Sequence, residues 1–178
     1  MKKEDKEDKQ AQIEYQKKLQ DAAMQIVSGN FDIKEYYGIS NEGLEAIYTV
    51  AYEMFKHKQY EEAKGVFTIL CVLEPTSIRY LSACGSTYFM LEDYLNASQF
   101  FRIALIHGDY TPKTLLRLAE CTVKLELLEL AERYLTELIR IAQKEEFKND
   151  KESKSYEARA RMMLAVVAEQ LQKQQAVK

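Results

Sequence analysis

Apolar and polar positions follow a helical spacing that repeats every 34 residues between residues 44 and 145 of this chain. Apolar residues recur three or four positions apart, as they do on one face of an amphipathic α-helix. Each period holds two such stretches, separated by a short polar segment. The pattern therefore predicts a series of hairpins, each made of two short helices.

Four columns of this pattern keep one register through three repeats. They hold a small residue, a large residue, an alanine and a second large residue: Ala51, Gly85, Ala119; Tyr60, Tyr94, Leu128; Ala63, Ala97, Ala131; and Phe67, Phe101, Leu135. A period of 34 residues with this order is the signature of tetratricopeptide (TPR) repeats. The predicted fold is all-α: three tandem TPR hairpins in a short right-handed solenoid, with N-terminal helices and a C-terminal capping helix.

The same columns define the predicted units of the chain. These are a flexible charged N-terminus (1–12), an N-terminal helical region that could support dimerisation (13–43), three repeats (44–77, 78–111 and 112–145), and a linker with a C-terminal capping helix (146–178). The paired helices are expected at 44–57 and 60–73, at 78–91 and 94–107, and at 112–125 and 128–142. The last helix would cover the apolar end of the array, as solenoids require.

The turn inside each hairpin departs from the usual TPR pattern. Glycine is common there, but Lys58, Glu92 and Glu126 stand in its place. A residue other than glycine costs roughly 1 kcal/mol in the left-handed conformation. A different winding of the turn would avoid this cost.

Composition and charge narrow the classes of function. The chain has 178 residues, of which 47% are hydrophobic and 30% charged, and its net charge is −3. Nucleic acids and anionic membranes are bound by clustered positive charge, so neither partner is expected. No apolar run reaches the roughly 20 residues that span a bilayer, and the charged start lacks a signal-peptide pattern. Cys71, Cys84 and Cys121 form no paired motif, which favours a reducing, cytoplasmic location.

No group of residues indicates catalysis. The two histidines, His57 and His107, fall at predicted helix ends, where a partly positive imidazole interacts favourably with the helix dipole. Neither has cysteines or carboxylates nearby at the spacing of metal ligands, and the chain has no glycine-rich phosphate loop. We therefore expect no catalytic residues, no metal and no cofactor.

The first helix of a TPR hairpin lines the concave surface of the array, which is the usual binding surface of such repeats. Tyr48, Tyr52 and Phe55 form an aromatic stripe along one face of the first such helix. Its core face is supplied by other apolar residues: Ile47, Val50, Ala51 and Met54. The stripe therefore favours a groove for an extended peptide. The predicted groove comprises Tyr48, Tyr52, Phe55, Ser82, Ser86, Phe89, Leu116 and Glu120.

Residues outside the TPR columns add a more specific signal. They are Gly38-Ile39-Ser40, Leu44, Tyr48, Ala51-Tyr52, Glu62, Leu70-Cys71, Arg79-Tyr80 and Ala119-Glu120-Cys121. Together with the columns, they resemble the class II chaperones of type III secretion, the translocator-chaperone family typified by LcrH, SycD and IpgC. The resemblance covers about residues 31–140. It departs at Ser40, where the family often has proline, and at the turn residues.

The resemblance implies a small cytoplasmic chaperone that is often dimeric through its N-terminal region. Such chaperones bind the hydrophobic translocators of a virulence-associated injection apparatus before export. A short client segment of Pro-x-Leu-x-x-Pro type would lie extended in the concave groove. A segment flanked by prolines loses little entropy when it binds.

Two other functions remain open. One is a co-chaperone that grips a C-terminal carboxylate, which needs cationic and amide donors on the first helices of the repeats. Lys113 and Arg117 stand at such positions in the third repeat, but Tyr48, Tyr52 and Ala83 replace the other donors. The second is a generic TPR scaffold that joins other proteins in a larger assembly.

Overall fold

The computed structural model describes residues 32–176 and scattered positions between residues 12 and 25. Within residues 32–176 the chain forms eight helices and no strand: α1 Ile33–Tyr36, α2 Asn41–Lys56, α3 Tyr60–Leu73, α4 Ile78–Met90, α5 Tyr94–Ile106, α6 Pro112–Lys124, α7 Leu128–Ala142 and α8 Lys151–Ala176. The all-α prediction is confirmed, and each helix of the three repeats ends within three residues of its predicted bounds. The predicted segment 1–12 and much of 13–43 lie outside the described residues.

The chain divides into two compact units, Met1–Leu44 and Glu45–Lys178. In the first unit, α1 begins with Asp32, whose Oδ1 accepts a hydrogen bond from the backbone N of Glu35 at 3.1 Å. The Oγ of Ser40 accepts one from the backbone N of Gly43 at 3.1 Å and so caps the start of α2. The second unit contains the repeats, which are described below.

Helices of the second unit pack both within repeats and between successive repeats. α4 packs on α5 and α6 on α7 inside their hairpins, while α3 packs on α4 and α5 on α6 across neighbouring hairpins. The six small residues of the two repeating columns are buried. At Gly85, a Cβ atom would lie only 2.9 Å from the ring of Phe101 in the same hairpin. The small-residue column therefore marks places where two helices approach too closely for a larger side chain.

The three hairpin turns all contain a left-handed residue, at the positions where TPR repeats carry glycine. The φ angles of Lys58, Glu92 and Glu126 are 62°, 61° and 60°. The idea that a different winding would avoid the strain is therefore wrong. In each turn the following residue donates a backbone hydrogen bond to the carbonyl five residues earlier, as Gln59 does to Met54 at 2.9 Å. These bonds satisfy carbonyls at the helix end and offset the conformational cost.

The C-terminal helix α8 packs on α7 and on α6. Ala160, Val167 and Leu171 are buried in one cluster with core residues of α6 and α7, and Met163 and Leu164 pack against it. The helix begins at residue 151, well before its apolar face. Asp150 caps it, because its Oδ2 accepts a hydrogen bond from the backbone N of Ser153 at 2.6 Å. Among the described residues, none of the helices is both long and apolar enough to cross a membrane.

Each repeat carries one buried cysteine with a free thiol. Cys71 lies in α3, Cys84 in α4 and Cys121 in α6. Burial raises the pKa of the Cys121 thiol to about 12. The pKa of Cys71 is also raised, by its contact with Cys84 and by burial. The thiols of Cys71 and Cys121 are therefore protonated. All three buried cysteines pack as small apolar side chains of the core.

Candidate peptide-binding cleft

A cleft of about 410 Å³ lies in the second unit between the first helices of the three repeats, α2, α4 and α6. Its size falls in the range of ordinary ligand pockets. Its lining combines aromatic, small and cationic residues: Tyr48, Tyr52, Phe55, Phe67, Arg79, Ser82, Ala83, Ser86, Phe89, Met90, Lys113 and Arg117. Six of the eight residues of the predicted groove are brought together here.

Tyrosines from α2 form the first wall of the cleft. The rings of Tyr48 and Tyr52 stack with centroids 6.1 Å apart, and Tyr48 also contacts the edge of Phe67 at 5.6 Å. Tyr52 remains 46% exposed. Of the four residues predicted to form the core face of α2, only Ala51 is fully buried, whereas Val50 is 52% exposed. The core face of α2 is thus narrower than the sequence suggested.

Phe55 and Phe89 occupy the same position in the first two repeats. Each packs edge-on against the aromatic residue that starts the second helix of its hairpin, Phe55 on Tyr60 at 5.3 Å and Phe89 on Tyr94 at 5.5 Å between centroids. In the third repeat Val123 stands in this position. The aromatic rim of the cleft therefore ends with the second repeat.

Two arginines lie over the aromatic rings. The Cζ of Arg79 is 3.7 Å from the centroid of Tyr48, and its Nη1 is 2.5 Å from Oε1 of Glu45. Interaction with Tyr48, and then with Glu45, raises the pKa of Arg79, so it stays cationic. The Cζ of Arg117 is 4.7 Å from the centroid of Phe89. A guanidinium group over the face of an aromatic ring is attracted by the quadrupole of the ring, so these contacts hold the two arginines in the cleft.

The two serines of the cleft direct their hydroxyl groups to acceptors within the protein. The Oγ of Ser82 donates to Oδ2 of Asp109 at 3.1 Å, and the Oγ of Ser86 donates to the carbonyl of Ser82 at 2.7 Å. Asp109 also accepts hydrogen bonds from Thr111 and Thr114, at 3.0 and 2.7 Å. Small side chains with occupied hydroxyls leave room in the cleft without demanding a polar partner. The role of Asp109, which lies in a loop, carried no sequence signal.

Leu116 and Glu120, the other two residues of the predicted groove, lie outside the cleft lining. Leu116 is 3% exposed in the core cluster of α6, α7 and α8. Glu120 is 6% exposed and lies between Nη1 of Arg117, at 2.9 Å, and Nη2 of Arg159 from α8, at 2.6 Å. The Arg159 contact is a close ion pair that lacks the direction of a hydrogen bond. Both residues are covered because α8 packs on α6.

Other lining residues were not in the predicted groove. Arg79 and Lys113 are the second residues of α4 and α6, and Ala83 and Arg117 are the sixth residues of the same helices. The sixth position therefore also faces the cleft. The sequence does indicate this position, because Ala83 and Arg117 are 34 residues apart, as are Arg79 and Lys113. As peptide-binding residues, all eight positions of the predicted groove stay predictions.

Comparison with known proteins identifies the family. No protein-family model matches the chain. The chain is 31% identical over 111 residues to Low calcium response locus protein H of Yersinia pestis, an alignment that covers 62% of this chain and 66% of the relative. The structure of the Yersinia enterocolitica type III secretion translocator chaperone SycD is 26% identical, with a TM-score of 0.66, over 76% of this chain and 89% of SycD. The chain belongs to the translocator chaperones of type III secretion.

Further solved structures confirm the fold. A type III secretion complex from Aeromonas hydrophila has a TM-score of 0.73 and 24% identity, covering 85% of this chain and 97% of that one. SycD has also been solved with a peptide of the translocator YopD, at 26% identity and a TM-score of 0.66, covering 76% of this chain and 98% of that one. The TPR-type helical repeats predicted from the 34-residue period are thus those of a known family.

Proposed function

We propose that this protein is a cytoplasmic chaperone that binds hydrophobic type III secretion translocators before their export. An extended segment of the client lies in the cleft between α2, α4 and α6. The observation that carries the proposal is the wall formed by Tyr48 and Tyr52, an accessible aromatic surface in a concave site. The peptide complex of SycD, a relative of the same fold, supports binding of this kind.

The chemistry of the cleft fits an extended apolar segment. Tyrosine rings provide a large contact area at low cost in conformational entropy, and the small side chains of Ser82, Ala83 and Ser86 leave depth between them. A Pro-x-Leu-x-x-Pro segment would place its leucine in this depth. Binding would keep apolar client surface away from other chains, which otherwise aggregate through such surface.

Recognition of a C-terminal carboxylate is the weaker alternative. No asparagine or glutamine lines the cleft, so the amide donors of such a clamp are missing from its lining. Arg117, one of the two cations at a clamp position, is already paired with Glu120. The relatives are chaperones, and we propose that this protein likewise acts by binding and not by catalysis. Self-association, as seen for SycD, is part of the same proposal.

The proposal is tested by truncating the tyrosine wall. We expect Tyr52→Ala to weaken binding of a Pro-x-Leu-x-x-Pro peptide, and of a full-length translocator client, by about 2 kcal/mol, because Tyr52 anchors the client. Isothermal titration calorimetry measures the peptide and co-purification the full-length client. Tyr110→Ala is a matched control, since Tyr110 is similarly exposed, at 52%, but lies outside this cleft. Equal affinities of wild type and a folded Tyr52→Ala variant would refute the assignment.

A further inference from the structure

All charged residues that line the cleft are positive. They are Arg79, Lys113 and Arg117, and no carboxylate is among the lining residues. This is notable because the whole chain carries a net charge of −3. The charged groups of the lining are therefore opposite in sign to the net charge of the chain, which favours an acidic ligand.

The three cations differ in how their charge is compensated. Arg79 forms an ion pair with Glu45. Arg117 forms one with Glu120, whose single negative charge is shared with Arg159. Among the described residues, no carboxylate lies within ion-pair distance of the Lys113 ammonium group. Asp109, near the start of α6, is buried, and its oxygens accept hydrogen bonds from three hydroxyl groups. Lys113 is thus an exposed cation available to a ligand.

We infer that the client segment carries a glutamate or aspartate beside its apolar anchors, and that this carboxylate pairs with Lys113. The inference rests on the proposed function. The apolar anchors lie on the tyrosine wall of α2, and the acidic side chain lies at the α6 side of the cleft, where Lys113 and Arg117 stand. Exposed pairs of this kind add little affinity but discriminate strongly against like charge.

The carboxylate is that of a side chain and not of a chain end. A terminal carboxylate needs several convergent donors to replace its hydration. Of the three cations in the cleft lining, Lys113 alone has no carboxylate partner within the described part of the chain, and Tyr48, Tyr52 and Ala83 stand where further donors would be needed. One ammonium group suffices for a partly solvated side-chain carboxylate within an extended segment.

The experiment uses short synthetic Pro-x-Leu-x-x-Pro peptides whose two ends are blocked, so that neither end carries charge. Each variable position and each flanking position is substituted in turn by glutamate, glutamine or lysine. Affinities for the full-length protein are measured at low and at high salt. We expect one position at which glutamate binds about two- to fivefold more tightly than glutamine at low salt, with lysine weakest and the differences reduced at high salt.

The variants Lys113→Gln and Lys154→Gln test whether the preference for glutamate comes from Lys113. We expect Lys113→Gln to abolish the preference for glutamate over glutamine. Lys154→Gln makes the same charge change at an exposed residue outside the cleft and should keep the preference.

Equal binding of glutamate and glutamine peptides at every position, with Tyr52→Ala still weakening both, overturns the inference and leaves the proposed function standing. Failure of wild type to bind any peptide of the series overturns both. One further peptide is made with a free C-terminus, and tighter binding of this peptide than of its blocked form overturns the inference in favour of a terminal carboxylate.

Discussion

The first and third repeats hold the same helix positions in opposite environments. Tyr48 and Tyr52 line the cleft, whereas Leu116 and Glu120, each 68 residues later in the same two columns, are buried. The difference arises because α8 packs on α6. A TPR column thus specifies the direction of a side chain, and the neighbouring helix decides whether that direction leads to solvent or to a core.

The largest expected effect comes from truncating one side chain in the third repeat and one in the first, and comparing the stabilities of the two variants. Leu116→Ala should lower the free energy of unfolding by about 3 kcal/mol, because it leaves a cavity in a well-packed cluster. Tyr52→Ala should lower it by less than about 1 kcal/mol, because the ring is half exposed. Urea denaturation followed by circular dichroism measures both values. Similar losses for the two variants would show that the third repeat is no more closed than the first.

The second test compares two glutamate–arginine pairs that differ in burial. Glu120→Gln keeps the side-chain shape but removes the charge shared by Arg117 and Arg159, and we expect a loss of about 2 kcal/mol in stability. Glu45→Gln removes the partner of Arg79 at an exposed site, where the loss should stay below about 1 kcal/mol. Thermal unfolding monitored at two salt concentrations measures both variants. If salt weakens the effect of Glu120→Gln as much as that of Glu45→Gln, then Glu120 is not shielded by α8.

The smallest expected effect concerns the start of α8. Backbone hydrogen bonding by Ser153 lowers the pKa of the Asp150 carboxyl below its ordinary value. A carboxyl with a lowered folded-state pKa stabilises the fold above its unfolded value, near pH 4, and loses that contribution as the pH falls. Asp150→Asn can still cap the helix but cannot titrate. The variant should therefore show a shallower loss of stability between neutral and acid pH, measured by urea denaturation. Parallel pH profiles for wild type and variant would count against this role of Asp150.

Predictions from the sequence were most accurate where the small size of a residue is required by a close contact between helices. Gly85 faces the ring of Phe101, and the alanine columns lie at helix crossings, so the repeat boundaries were readable to within a few residues. The turns were predicted less well. Residue type alone suggested that Lys58 would avoid the left-handed conformation, but the hydrogen bonds of the helix end outweigh that cost.

The site was readable only in part for a similar reason. The helical spacing of Tyr48, Tyr52 and Phe55 located one wall of the cleft correctly. Glu120 is buried because α8 packs over it. The first turns of α8 consist mainly of charged residues, so the sequence pattern did not predict that the helix begins at residue 151. Arg159 lies in this stretch, so its contact with Glu120 could not be expected from the 34-residue pattern.

The buried cysteines have a practical consequence, because one thiol lies in each repeat. In the folded protein Cys71, Cys84 and Cys121 are 8%, 0% and 0% exposed. A thiol reagent can reach each of them only when the packing around it opens, and Cys71 and Cys84, which contact each other, share that packing between two repeats. Variants that keep a single cysteine would therefore report the local opening rate around one thiol at a time. They would show whether a bound client slows the reaction of every thiol or only of those beside the tyrosine wall.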